Sequence, residues 1–291
     1  MEIFATPGDM RAWSDERRRS GRTIGFVPTM GALHSGHMAL VDDAARRRDD
    51  VVVSIFVNPL QFNESADFDS YPRPIDDDVA MCEAAGAAAV YAPTASVMYP
   101  QRYQTRVVPG RLAEVMEGAM RPGHFEGVVT VVSKLFGAVR PDSAVFGQKD
   151  YQQLVVIRQM VADLDMGIEI VAHPIVRDDD GLAQSSRNRR LSPEQRERAV
   201  VVPRSLDAAV SAAADGAAPP DVVDAARAVV EDEPLAELEY TTVFDPDTLE
   251  ELVEFDETRR PGSARVATAV WFGDVRLIDN RDLFDRDLIQ R

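Results

Sequence analysis

The chain holds a single cysteine, Cys82, in 291 residues, so no internal disulfide is available and the fold must rest on its core. Cys82 falls in a predicted helix and is expected to be a small buried hydrophobe. No stretch approaches about 18 uninterrupted apolar residues, which argues against a membrane-spanning helix. The opening Met-Glu-Ile-Phe-Ala lacks the basic-then-apolar order of a secretory leader, so a cytoplasmic protein is expected. Positive charge is in short supply: 32 Lys and Arg against 49 Asp and Glu give a net charge of −17. That balance counts against sequence-independent binding of nucleic acid, and an anionic small molecule would need a locally positive pocket. Lysine is scarcer still. Lys134 and Lys149 are the only two, and every other basic residue is arginine, which hints at a need for a compact, mobile ammonium at 149.

What is present concentrates in loops. Residues 24–37 read Ile-Gly-Phe-Val-Pro-Thr-Met-Gly-Ala-Leu-His-Ser-Gly-His. Ile24 to Val27 is a buried strand by its apolar run, stopped by Pro28, which has no N–H for a ladder. Gly31 and Gly36 permit a tight turn close to a ligand. Met38 to Arg48 has helical spacing, with Leu40, Val41, Ala44 and Ala45 on one side. A glycine-containing loop therefore joins a strand to a helix N-terminus, where exposed N–H groups and the macrodipole favour an anion. His34 and His37, half of the chain's four histidines, stand at that mouth and add donors for a phosphate. The loop is neither a Walker A sequence nor a Gly-x-Gly-x-x-Gly fingerprint.

At 291 residues the chain is long enough for two domains. Residues 1–175 alternate apolar runs with helical stretches, predicting an α/β, Rossmann-like domain with a mainly parallel sheet. Strands are expected at 23–28, 51–57, 88–92, 143–147 and 168–172, with an edge strand at 102–108. Helices are expected at 36–48, 74–86, 125–139 and 151–165. Ligands in such a sheet bind beyond the carboxyl ends of the strands. Residues 176–291 read as a smaller α+β domain, helical over 192–231 with breaks at Pro203 and at Gly216–Pro220. Strands are expected there at 239–244, 264–271 and 275–278, the last two joined by a Gly273-Asp274 turn.

The remaining strand-end loops carry chemistry of their own. Asn58-Pro59-Leu60-Gln61 offers two primary amides, suited to hydroxyl and carboxylate groups without added charge; Asn58 alone is equally explained as an Asx turn. Asp76, Asp77 and Asp78 open a helix, where aspartates are ordinary caps, yet beside a triphosphate they would also suit Mg²⁺. Arg121 and His124 precede the helix at 125–139 and suit an anion, while Val128, Val131 and Val132 read as core. Lys149 is placed to neutralise phosphate, and Asp150 either meets ribose hydroxyls or caps the next helix. Ser185, Ser186 and Arg187 follow Gly181 in a loop fit for a phosphate clamp.

These segments occur together and in order: Pro-Thr-Met-Gly-Ala-Leu-His-x-Gly-His, Phe-Val-Asn-Pro-x-Gln-Phe, Phe-Gly-x-Lys-Asp-Tyr-Gln-Gln-Leu, Ser-Ser-Arg-Asn-Arg and the Arg276-Leu277-Ile278-Asp279-Asn280 ending. In that combination the chain resembles the pantothenate synthetase (pantoate–β-alanine ligase) family of the His-x-Gly-His nucleotidylyltransferase superfamily. The resemblance implies ATP-dependent condensation of pantoate with β-alanine through a pantoyl-adenylate, with release of pyrophosphate and then AMP, in synthesis of a coenzyme A precursor. It implies Mg²⁺, a homodimer, and small-molecule substrates alone, with no nucleic acid and no membrane.

Residue by residue, the resemblance assigns catalytic work to His34, His37, Lys149, Ser185, Ser186 and Arg187. ATP would meet Pro28, Thr29, Met30, Gly36, Gly147, Asp150, Val176 and Gln184. Pantoate would meet Met30, Gln61, Gln153, His124, Val131 and Val132, and the metal would meet Asp77 and Asp78. The chain departs from the family at Gln184, where methionine is usual, and less so at Gln148. Two other readings stay open: a nucleotidylyltransferase that stops at a nucleotidyl product, and a nucleotide-binding regulator without turnover.

Overall fold

The apolar runs assemble, in the computed structural model of the chain, into a six-stranded parallel sheet and a three-stranded antiparallel one. The structure describes residues 1–63, 65–256 and 258–285, the side chains of 65–67 excepted. By their internal contacts they form two units: Met1–Gln148 with Gln152–Pro174, and Lys149–Tyr151 with Ile175–Arg291.

The first unit comprises β1 (Glu2–Phe4), α1 (Pro7–Arg19), β2 (Ile24–Thr29), α2 (Ser35–Arg47), β3 (Asp50–Ile55), α3 (Ser65–Ser70), α4 (Ile75–Ala84), β4 (Ala89–Tyr91), the short α5 (Ala95–Met98) and α6 (Glu117–Met120), α7 (His124–Val139), β5 (Ser143–Gly147), α8 (Tyr151–Asp163) and β6 (Glu169–His173). The strand order is β1-β4-β3-β2-β5-β6, and each pairing is parallel. β3, Asp-Val-Val-Val-Ser-Ile, is buried at every position, as a strand covered on both faces requires. The chain steps outward from β2 through β3 to β4, then returns to lay β5 on the other side of β2. That reversal makes the carboxyl ends of β2 and β5 the switch point, where a doubly wound sheet opens a crevice for ligands.

Pro28 does not stop β2, which continues to Thr29. The carbonyls of Thr23 and Thr29 accept from Asp50 and Phe56 on the β3 side, whereas Ile24 accepts from Asp142 on the β5 side. By this alternation Pro28 faces β5, whose pairing with β2 ends at Phe26, so its missing N–H leaves no ladder bond unmade. The amino ends of the strands are stitched by ion pairs. Arg22 grips Asp50 at 2.6 and 2.7 Å. Arg18 reaches Asp142 at 3.0 Å, whose other oxygen accepts the Ile24 N–H, and Arg48 bonds both Ser143 Oγ and Glu169.

The edge strand expected at 102–108 is absent from the strands among the described residues. Its backbone turns to a helix instead: the Val107 N–H donates to Thr130 Oγ1 at 3.0 Å. Cys82 lies in α4 and is fully buried; burial pushes its thiol up to about 11.

The second unit holds α9 (Pro193–Arg198), α10 (Val201–Ala214), α11 (Pro219–Glu231) and the meander β7 (Glu237–Phe244), β8 (Arg265–Phe272) and β9 (Val275–Asp282). Leu206, Val210, Val222 and Ala226 from the two longer helices pack on Val243 and Val266 of the sheet. Pro203 does not break the helix. It sits in the first turn of α10, where an N–H has no intrahelical partner to lose. Gly273, at φ +61°, makes the tight turn between β8 and β9.

Candidate active site

The loop after β2 is built on a buried carboxylate. Gly31 (φ +85°) and Ala32 (φ +51°) turn the chain through the left-handed region, and Asp78 of α4 accepts the N–H of Ala32 at 2.9 Å and of Leu33 at 2.7 Å. Asp78 is 1% exposed. A Cβ at residue 31 would stand 2.9 Å from its Oδ2, so the turn needs glycine for space as well as for φ. Thr29 completes the anchor, donating to the Ser54 carbonyl and accepting from the Gly31 N–H. Gly36 is not part of this turn. It lies in the first turn of α2, which starts at Ser35.

His34 is the N-cap of α2 and His37 its third residue, and together they form a reciprocal capping box. The Gly36 N–H donates to His34 Nδ1 at 3.2 Å, and the His34 N–H donates to His37 Nδ1 at 3.3 Å. The ring centroids are 4.1 Å apart. A ring whose Nδ1 accepts carries its proton on Nε2, so the cap sets the tautomer of both imidazoles. Two Nε2–H donors at a helix N-terminus are chemistry suited to an anion.

The two aspartates proposed for a metal differ in kind. Asp78 spends both oxygens on loop amides and does not fit as a metal ligand; Asp77 is exposed in the first turn of α4. Among the described residues no three His, Cys, Asp or Glu side chains are grouped to hold an ion.

Gln61 is held from several sides. Asn58 Nδ2 donates to Gln61 Oε1 at 3.0 Å and to the Gly127 carbonyl at 3.1 Å, and Gln61 Nε2 contacts Met30 Sδ at 3.0 Å. Tyr99 donates to Asn58 Oδ1 at 2.7 Å, and burial raises its phenol pKa. The Gln61 carbonyl pairs with His124 Nδ1 at 2.8 Å and accepts from Arg121 Nη2 at 3.1 Å. Met30, Gln61 and His124 are thus brought together. Gly127 allows it: a Cβ there would lie 2.3 Å from the Leu60 carbonyl oxygen. Val131 and Val132 are buried in α7, and Gln153 is half-buried in the first turn of α8. Its neighbour Gln152 is the structural one, bonded to the carbonyls of Leu112 and Val115 and to the Glu117 N–H.

In the second unit, a pocket is lined by Lys149, Ser185, Arg187, Asn188 and the β9 residues Ile278 and Asp279. Ser185 caps the turn Ser186–Arg190, its Oγ accepting from the Arg187 N–H at 3.3 Å. Gln184 is tied at both ends, its backbone N–H to the Val176 carbonyl at 2.9 Å and its amide to Asp178 at 3.0 Å. Asp150 is exposed and lies 3.4 Å from Lys149 Nζ. Tyr99 is a supporting residue that the sequence reading missed; Asp78, expected at a metal, and Asn280, quoted with no task, prove to be supports as well. For Asp78 a signal exists, since it sits four residues before the buried Cys82 on the inner stripe of α4.

A parallel sheet with a capped His-x-Gly-His turn at its switch point defines a doubly wound α/β protein. The profile of the family described as Pantoate-beta-alanine ligase matches residues 2–282. The chain is 49% identical to the pantothenate synthetase of Mycolicibacterium smegmatis, over 96% of this chain and 87% of that protein. It is 52% identical to that of Nocardioides sp., over 91% and 80%. A Thermus thermophilus pantothenate synthetase structure superposes with a TM-score of 0.91 at 44% identity, covering 98% of this chain and 100% of the other. A Francisella tularensis pantoate-beta-alanine ligase, complexed with beta-gamma ATP and beta-alanine, gives 0.79 at 31%, covering 97% and 98%. The chain belongs to the pantoate–β-alanine ligase family, and it is a ligase.

Proposed function

We propose that the chain joins pantoate to β-alanine at the expense of ATP, in two half-reactions. The pantoate carboxylate attacks the α-phosphorus and pyrophosphate leaves, giving pantoyl-adenylate. The β-alanine amine then attacks the acyl carbon, losing a proton as AMP departs with the C–O bond electrons. Both nucleophiles come from substrates, so no side chain forms a covalent bond. The protein's work is positioning and charge stabilisation.

The observation that carries this reading is the reciprocal His34–His37 cap, which presets two N–H donors for the charge that grows on departing pyrophosphate. Lys149, Ser185, Ser186 and Arg187 supply phosphate contacts. Pro28, Thr29, Met30, Gly36, Gly147, Asp150, Val176 and Gln184 hold the nucleotide. Gln61, Gln153 and His124 take the hydroxyls and carboxylate of pantoate, with Met30, Val131 and Val132 against its methyl groups. In this assignment residues 1–175 are the ATP- and pantoate-binding domain and residues 176–291 bring the Ser-Ser-Arg loop. Mg²⁺ would be held chiefly by the ATP phosphates, whose charge it would offset, and of the aspartate pair Asp77 alone has an exposed carboxylate to offer it. A cytoplasmic homodimer completes the proposal.

The test is AMP release from ATP and Mg²⁺ with pantoate, with and without β-alanine. AMP formed only with both, and matched by pantothenate, is the expected result. Pantoate-dependent pyrophosphate exchange without an amine-dependent product would instead mark an enzyme that stops at a nucleotidyl product. No turnover by folded protein would overturn the assignment.

A further inference from the structure

The Arg276–Asn280 ending is part of the family resemblance, yet the proposed reaction gives it no task. On β9, Asp279 and Asn280 each hold one of the phosphate-gripping elements. Asp279 is 2% exposed and receives both arms of Arg177, Nη1 at 2.6 Å and Nη2 at 2.9 Å. Arg177 in turn donates to the Gly181 carbonyl at 2.9 Å and pairs through its backbone with Ala183, at the foot of the Ser185 turn. Fork-to-carboxylate geometry of this kind fixes orientation as well as distance.

Asn280, 3% exposed, points its amide the other way. Its Nδ2 donates to the Lys149 carbonyl at 3.0 Å. The amide cannot be reversed, because its Oδ1 accepts from Arg265 Nη2 at 2.8 Å and Nε at 3.3 Å, and an arginine offers only donors. The Arg265 guanidinium lies 4.2 Å from the ring centroid of Tyr151, two residues beyond Lys149. The Asn280 N–H donates to Asp279 Oδ1 at 2.7 Å, joining the two supports.

We propose that Asp279 and Asn280 are positioning residues: adjacent on one strand, they set the spacing between Lys149 and the Ser185–Arg187 turn. The proposal rests on the reading of those groups as phosphate contacts. It assigns no substrate contact to Asp279 or Asn280 themselves. Lys149 is otherwise a flexible side chain on a short connection, and a carbonyl anchor one bond from its Cα limits where its ammonium can reach.

The test is a pair of double-mutant cycles read by pantoate-dependent pyrophosphate exchange and by calorimetric binding of a non-hydrolysable ATP analogue. Asn280→Asp keeps an oxygen for Arg265 but sets a carboxylate against the Lys149 carbonyl. In the otherwise unmodified enzyme it is expected to slow exchange about 10-fold, as small misplacement of a reacting group does, with KM for pantoate unchanged. In a Lys149→Ala background the same change should cost less than about 2-fold, because residues acting through one group are not additive. Asp279→Asn should behave likewise against Arg187→Ala, and it decides alone if Asn280→Asp does not fold. Equal losses in both backgrounds would show general loosening and overturn the proposal, as would no loss in a folded variant. Full exchange by Lys149→Ala would instead strike the underlying reading of Lys149, and the positioning proposal with it.

Discussion

The carboxylate of Asp78 stands 2.7 Å from the backbone nitrogen of Leu33, the residue before the first site histidine. With its second bond to the Ala32 N–H, this one buried side chain holds a left-handed turn that an alanine would not keep by itself. Asp78→Asn retains one acceptor but turns an NH₂ group on the other amide. A loss of about 1–3 kcal/mol in stability is expected, read as a lower midpoint in urea. Pyrophosphate exchange should fall further than stability alone accounts for, because the lost bonds orient His34. A variant of full activity would remove Asp78 from the site's support.

His37 both caps α2 and presents an imidazole, and a glutamine separates these tasks. In His37→Gln the amide oxygen can accept the His34 N–H as in an ordinary capping box, so thermal stability should stay within about 1 kcal/mol of the starting protein. Adenylate formation should nonetheless fall by ~10²-fold or more, the usual cost of losing a preset donor at developing charge. Single-turnover formation of pantoyl-adenylate reads the difference. An active glutamine variant would limit His37 to capping.

Asp43 of α2 gives the fold a pH dependence of known sign. Burial alone would raise its pKa, but hydrogen bonds from His173 (3.1 Å) and Arg47 (2.9 Å) hold it below the usual carboxylate value. A carboxyl whose folded pKa lies below its unfolded one stabilises the protein when ionised. The contribution is therefore complete above the unfolded value, about 3.9, and is lost as pH falls through the lower folded value. Asp43→Asn should melt earlier than the starting protein at neutral pH, and the gap should close on acidification below about pH 4. Scanning calorimetry across that range decides it; a gap that widens in acid would reverse the sign.

Gly127→Ala should damage one substrate site selectively. Its new Cβ would need to displace the Leu60 carbonyl, 2.3 Å away, and with it Gln61. A cost of about 1–3 kcal/mol is expected for overpacking, together with a raised KM for pantoate and an unchanged KM for ATP. An unaffected pantoate KM would show that the backbone of residues 58–61 can yield without moving the amide.

What could be read from the sequence follows from range. β2 to β6, the β2–α2 loop and the C-terminal meander were legible because their signals are local: apolar runs, glycines at turns, histidines three apart; β1, three residues long, was not. The loop-holding role of Asp78, expected instead at a metal, was not, because its partners lie 45 and 46 residues away and Asp76 to Asp78 together look like routine helix-start acids. Asn280 reaches Lys149 across 131 positions and bonds a carbonyl, which every residue possesses and no pattern reveals. α1 begins at an explicit signal, Thr6 capping ahead of Pro7, yet its charged last turn of Arg17, Arg18 and Arg19 masks a pattern in which few apolar residues, Met10 and Trp13, are buried. The 102–108 segment failed in the opposite way. Val107 and Val108 suit a strand, but the partner for the Val107 N–H is the hydroxyl of a helix threonine.

The ion pairs that join Arg22 to Asp50, Arg18 to Asp142 and Arg48 to Glu169 all lie at the strands' starting ends, while the histidine loop leaves from the finishing end of β2. The sheet thus divides its labour along its length: one rim is riveted and the other is furnished. Loops on the furnished rim are open to exchange in engineering without a change of strand register. Added salt, which screens exposed charge pairs, will wear first on the rim opposite the histidine loop.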